Sequence, residues 1–196
     1  MRRVFSQHAS KVLVAAALAA AIAQPSAAQA RAGTGSFHVG YTDIGPVLGL
    51  GGIGGANVAI GGRFEHAIQN LPSMANGVLG IQVGADYYSW SAAAGGPNFA
   101  YSWSIKYLPI GVTMNYHFKL DEPKLDPFVG LGLGYDIVSC HVSGTFTGVG
   151  DCGYDSGLYL IARGGVRYFF APTMALYGDV GAGGATLNVG VMFKMH

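Results

Sequence analysis

The segment Val129 to Ile137, VGLGLGYDI, alternates apolar side chains with glycine or charge. Val129, Leu131, Leu133, Tyr135 and Ile137 share one face of an extended chain, and Gly130, Gly132, Gly134 and Asp136 share the other. In a soluble sheet the apolar face packs on a core and the other meets water. Here nothing is available to cover such faces, because no later segment has the 3.6-residue period of an amphipathic helix. A sheet closed on itself, apolar outward to lipid and polar inward, satisfies both faces and every backbone hydrogen bond. The alternation therefore predicts an all-β fold, an eight-stranded antiparallel up-and-down transmembrane β-barrel.

An export signal points to the same compartment. Arg2, Arg3 and Lys11 precede an apolar run from Val12 to Ala23, and Ala28-Gln29-Ala30 supplies a small-residue cleavage site. The run is too short to span a bilayer and Gln24-Pro25 interrupts it. Residues 1–30 are read as a signal peptide and 31–196 as the barrel domain. That domain carries eight basic and ten acidic residues, a near-neutral balance that speaks against nucleic-acid binding. Charged residues make up only 11% of the chain, against about 25% in ordinary soluble domains. Glycine, at 32 of 196 residues, is about twice its usual share.

Turn residues and the two-residue period divide the mature chain into strands near 36–44, 55–67, 77–89, 102–118, 127–140, 156–169, 174–182 and 185–195. Turn chemistry at Asn70-Leu71-Pro72-Ser73, Asp121-Glu122-Pro123-Lys124 and Ala171-Pro172-Thr173 marks three periplasmic connections. Gly45–Gly54, Ser91–Ala100 and His141–Asp155 are expected to be outer loops. The strands repeat one pattern: Val58, Ile60 and Phe64 outward with Arg63 and Glu65 inward; Ile81, Val83 and Tyr87 outward with Gln82 and Asp86 inward. Ile110, Val112, Met114 and Tyr116 likewise face out, with Thr113, Asn115 and His117 inward. Pro109 cannot donate to a ladder, so a bulge is expected there that turns Lys106 to the other face.

The segments YLPIGVTMNYHF (Tyr107–Phe118), PFVGLGLGY (Pro127–Tyr135), ARGGVRYFFAPTMALYGDVG (Ala162–Gly181) and LNVGVMFK (Leu187–Lys194) resemble small outer-membrane β-barrel proteins of the OmpA/OmpX-type and opacity-like porin grouping. The resemblance spans nearly all of the mature chain. It implies the outer membrane of a Gram-negative-type bacterium, lipid and the barrel-insertion machinery as partners, and a monomer. It says little about activity, because such barrels serve in adhesion, anchoring, narrow channels and a few enzymes. The chain departs from the family's usual terminal aromatic, placing Phe193 three residues before the end.

Parity puts Arg63, Arg163, Arg167 and Lys194 in one lumen with Glu65, Asp86, Asp136 and Asp179. Ions in so narrow a space need partners, because desolvation costs several kcal/mol each. Arg63 and Glu65 lie two apart on one face, and a turn around Ala171 sets Arg163 across from Asp179. This set is either a gate or a polar plug, and the width of an eight-stranded barrel favours the plug. Cys140 and Cys152, in or beside the third outer loop of an exported chain, are expected to form a disulfide.

Ser139, His141 and Ser143 share a face at the rim, and His141-Val142-Ser143 resembles the His-x-Ser of the lipid A deacylases. The residues that follow the serine in that family are missing, and no acid is placed to orient His141. Leu48–Gly55 imitates a phosphate loop but lacks its Lys-Ser/Thr pair. His38, His66, His117 and His196 show no metal spacing. Tyr87, Tyr88, Trp90, Tyr101 and Trp103 suit a membrane-interface belt. The expectation is a structural or surface-interaction protein with no cofactor, metal or catalytic residue and with extracellular ligands among its conceivable partners. A narrow channel for small or apolar solutes is the alternative, and lipid hydrolysis a distant third.

Overall fold

The computed structural model describes residues 36–96, 99–144 and 153–195. They form eight strands: β1 (Thr42–Leu50), β2 (Val58–Leu71), β3 (Gly77–Gly96), β4 (Phe99–His117), β5 (Leu125–Gly144), β6 (Gly157–Ala171), β7 (Met174–Ala182) and β8 (Leu187–Lys194). Each strand pairs antiparallel with its sequence neighbours, and β8 closes on β1. The outward residues are those that alternation places there. Leu158, Leu160 and Leu131 are 79%, 77% and 71% exposed, which only a lipid surround makes favourable.

Three differences from the sequence reading share one cause, the use of glycine, serine and alanine inside strands. β1 begins at Thr42 instead of 36 and continues through Gly45-Pro46 to Leu50, which the turn residues had suggested was loop. Gly45 is needed for close approach, because a Cβ there would run into the Val191 carbonyl of β8. Ser91–Gly96 belongs to β3 and His141–Gly144 to β5, so both supposed loops begin with strand. The predicted bulge at Pro109 is absent. β4 pairs with β5 in one unbroken register from Tyr101↔Gly144 to His117↔Phe128, and Lys106 stays on the outward face. The missing N–H of Pro109 falls where the β3–β4 ladder skips, between Ala85↔Ile110 and Tyr88↔Tyr107.

Strand length is uneven. β3, β4 and β5 have 20, 19 and 20 residues, whereas β1, β7 and β8 have 9, 9 and 8. A crossing needs about 9–11 residues, so β3–β5 rise well beyond the bilayer as a three-stranded wall. The β5–β6 ladder ends at Asp136↔Gly157, and just beyond it the Val138 N–H donates to the Ser156 hydroxyl at 2.9 Å. Along the wall the outward face changes character. Below the boundary it carries Val83, Leu108 and Ile137; above it carries Ser89, Ser91, Ser102, Ser104, Lys106, Ser139, His141 and Ser143. The inward face changes the opposite way, from Gln82, Thr113 and Asn115 to Tyr88, Trp90, Trp103 and Tyr107. The interface belt expected of the aromatics is therefore corrected: Tyr87 faces outward at 42% exposure, whereas Tyr88 is buried and Trp90, Tyr101 and Trp103 lie on the wall's inner side.

Candidate functional site in the barrel lumen

The lumen is filled in layers. At the periplasmic end residues 36–41 tuck under the barrel, with the Ser36 hydroxyl donating to the Pro123 carbonyl at 2.6 Å. Phe37 and Tyr41 pack there with Ala67, Val78, Phe169 and Ala175. Next comes an ionic layer around Arg167, which is fully buried. Its Nε lies 3.1 Å from Asp43, Nη1 donates to Asp126 at 3.2 Å, and Nη2 donates to Glu65. The Asp43 contact is off the N–H direction, so it is an ion contact more than a hydrogen bond. The rings of Phe37, Phe128 and Tyr177 stand 5.1, 5.4 and 5.7 Å from the guanidinium carbon.

His117 completes this layer. Its Nε2 meets Glu65 at 2.8 Å and its Nδ1 meets Asp126 at 2.9 Å. Ionised carboxylates only accept, so both ring nitrogens must donate, and an imidazolium is the form that supplies two protons. Glu65 further accepts from Gln82 at 3.0 Å and Asn115 at 2.9 Å. Lys194 lies directly across from Asp43 in the β1–β8 register, its ammonium 5.6 Å from the Tyr41 ring. With His117 charged, three cations stand among three carboxylates, and the layer is neutral.

Val47, Phe128, Tyr177 and Met192 form an apolar layer above it. The second ionic layer follows. Arg63 makes a bidentate pair with Asp86, at 2.8 and 3.0 Å. Arg163 pairs with Asp179, which also accepts from the Tyr177 hydroxyl and from Asn188 at 2.9 Å. Ile53, Ala59, Tyr88 and Ala185 then cap this end of the barrel, with Trp90 and Tyr107 against them.

The eight charges singled out from sequence are thus split between environments. Arg63 bonds Asp86 and not its neighbour Glu65. Residues two apart on one strand point the same way in parallel, whereas a diagonal partner on the next strand points toward them. Arg163 is paired in register with Gly181, not Asp179, and reaches Asp179 diagonally. Lys194 makes no ion pair among the described residues, and Asp136 neither an ion pair nor a hydrogen bond. Asp43, His117 and Asp126 were missed as network members. Asp43 fell at the margin of a misplaced strand and Asp126 just before one, though both carry the inward parity of their strands. His117 was inward by parity but was weighed as a metal ligand instead of an ion-pair partner.

At the rim, Ser139, His141 and Ser143 sit on the outward face of β5, and Ser143 lies 3.3 Å from Ser102 hydroxyl to hydroxyl. No described carboxylate bonds His141, and no described group of His, Cys, Asp and Glu could hold a metal. Gly54 and Gly55 pack on the Trp90 ring in a connection between strands. Cys140 lies on β5 opposite Ile105, while Cys152, His196 and residues 1–30 lie outside the described residues.

No family model and no curated protein matches the sequence. Among solved structures the chain is similar to the outer membrane protein OprG from Pseudomonas aeruginosa, with a TM-score of 0.54 and 12% identity over 83% of this chain and 99% of that one. Ail, the attachment invasion locus protein of Yersinia pestis, gives a TM-score of 0.41 and 10% identity over 80% and 96% of the two chains. The N-terminal β-barrel domain of P. aeruginosa OprF gives 0.41 and 14% over 80% and 98%. With closure, strand count and the apolar exterior, the OprG likeness establishes that the chain has the fold of a small eight-stranded outer-membrane β-barrel protein.

Proposed function

We propose that the chain is exported behind residues 1–30 to the outer membrane of a Gram-negative-type bacterium. There it serves as a monomeric, non-conducting barrel that holds a surface wall above the lipid. The observation that carries this reading is the stack of side-chain layers, in which fully buried Arg167 is sealed between two apolar layers. A solute would have to break its contacts with Asp43, Glu65 and Asp126 to pass. The height of β3–β5 supports a surface role, since about half of each strand exceeds what a crossing needs.

Planar-bilayer recording on the refolded chain tests the reading. The wild type is expected to pass no resolved current, and Arg167→Ala, which empties the sealed layer, to produce brief openings. Steady wild-type channels would replace the plug with a narrow pore for small solutes.

A further inference from the structure

Residues 36–41 enter the lumen from the periplasmic end on few contacts. The Gly40 N–H donates to the Ala67 carbonyl and the Ala67 N–H to the Tyr41 carbonyl, each at 2.9 Å, which fixes the segment where it joins β1. Gly40 has a φ of +85°, a left-handed conformation that glycine adopts without strain, and space is open where its Cβ would be. Beyond that turn Phe37 is the one buried side chain, and the Ser36 hydroxyl makes the one hydrogen bond to the barrel among the described residues.

Phe37 rests on His117. Their rings stack with centroids 3.7 Å apart and 14° between planes, and Phe128 stacks on the imidazole at 5.4 Å. Glu65 of β2 and Asp126 of β5 bond its two nitrogens, and Arg167 of β6 shares both acids. Asp43 of β1 touches Arg167 in turn, and Lys194 of β8 lies across from Asp43 with its ammonium near the Tyr41 ring. The carboxylates of β3 and β7, Asp86 and Asp179, are held in the other ionic layer. A protonated ring donates to both of its acids. A neutral ring has one proton and presents a lone pair to Glu65 or Asp126, which leaves a buried carboxylate short of a partner. The attraction between a cationic ring and Phe37 is lost in the same step. Water relieves the stranded carboxylate, and Phe37 stands where water would enter. Ser36, Phe37, His117 and Asp126 already line one cleft at that mouth.

We propose that Phe37 and His117 form a proton-controlled latch on the periplasmic mouth of the barrel. The imidazolium holds the 36–41 segment in the lumen. When the ring loses its proton, Phe37 withdraws, the segment swings out about Gly40, and water reaches Glu65 and Asp126. The apolar layer of Val47, Phe128, Tyr177 and Met192 stays in place above, so release opens one end of the barrel without making a pore.

Electron spin resonance of a nitroxide at His38→Cys, an exposed position on the segment, tests this. The full chain is refolded in micelles without reductant, and the signal of the wild-type chain put through the same labelling is subtracted. From about pH 6 to about pH 10 the ratio of mobile to immobile label should rise about tenfold or more, the loss of one cation–ring contact. His117→Gln, which cannot titrate, should give a mobile label throughout and no step. Phe37→Ala, which leaves every charge in place, should be mobile already at about pH 6. Lys194→Met should keep the step, which separates His117 from the other basic group that titrates in this layer. Each variant should still migrate differently heated and unheated on a detergent gel. An immobile label across the whole range in the folded wild type, a step that survives His117→Gln, or an immobile label in folded Phe37→Ala would each overturn the latch.

Discussion

Replacing Arg167 with methionine is the sharpest perturbation of this barrel. The side chain is fully buried and touches three carboxylates and three ring faces. Methionine keeps most of the volume and the ring contacts but removes the cation, which leaves Asp43, Glu65 and Asp126 sharing only His117 and Lys194. Removing one partner from a buried ion pair costs about 3–5 kcal/mol. Loss of attraction to rings at 5.1–5.7 Å adds up to about 1–2 kcal/mol more. The expected destabilisation is about 5 kcal/mol, a large share of the roughly 5–15 kcal/mol that holds a domain folded. Arg167→Lys keeps the charge, but a compact ammonium replaces the planar guanidinium that reaches Glu65 and Asp126 at once, and the variant should fall between. Pairing Arg167→Met with Glu65→Gln should recover part of the loss, a coupling visible in a double-mutant cycle. Urea titration in lipid vesicles, followed by tryptophan fluorescence and by the gel shift between heated and unheated forms, gives these energies. If Arg167→Met unfolds within about 1 kcal/mol of wild type, in the range of ordinary surface changes, the ionic layer does not hold the barrel as described.

Leu133→Arg on the lipid face should cost about 2–4 kcal/mol in the same titration; on the opposite face, Gly132→Ala should destabilise by overpacking, because its Cβ would run into the Val112 carbonyl. Asp179→Ala strands Arg163, Tyr177 and Asn188 together and should cost about 3–5 kcal/mol, much of it recovered when Arg163 is also removed; additive energies would refute the pairing. Cys140 and Cys152 should resist a maleimide until reduced, and reduction should leave the heat-dependent gel shift intact; labelling of non-reduced protein would show free thiols. Nitroxides at Ser104 and Ser139 should be reached by a water-soluble relaxing agent and one at Leu133 by oxygen, and equal accessibilities would misplace the membrane boundary.

The fold was legible because alternation with a charged inner face survives in nearly every strand, from Arg63-Phe64-Glu65 to Asn188-Val189. The strand ends were harder to read. Glycine, serine and alanine are ordinary loop residues, yet Gly45 sits in β1 for close approach and Ser91 and Ser102 face water from the wall. Lys106 shows the difficulty in one residue. An outward charge contradicts a lipid-facing strand, and a bulge at Pro109 restores the rule locally. The strand instead keeps its register and leaves the membrane, so the rule itself reverses. A single inversion of parity across three adjacent strands is the signal that could have found the wall. In the lumen the pair Arg163–Asp179 was legible from the turn at Ala171, but the partners of Arg63 and Arg167 were not, because those contacts run diagonally or across the barrel, which no local spacing records.

Those cross-barrel contacts explain why so many charges are kept in a fold that could be filled with apolar side chains. Arg167 of β6 ties Asp43 of β1, Glu65 of β2 and Asp126 of β5, and Glu65 in turn holds Gln82 of β3 and His117 of β4. Arg163 of β6 meets Asp179 of β7, which holds Asn188 of β8. Every strand therefore carries at least one polar side chain committed to another strand. A slip of one residue in any of them exchanges the two faces and carries that group into lipid, where a basic residue near the midplane costs about 2–4 kcal/mol. An apolar lumen would impose no such penalty, since apolar side chains are equally content on either face. The buried charges thus contribute less to net stability than to the choice of one register, and the apolar layers on either side keep water from weakening that choice.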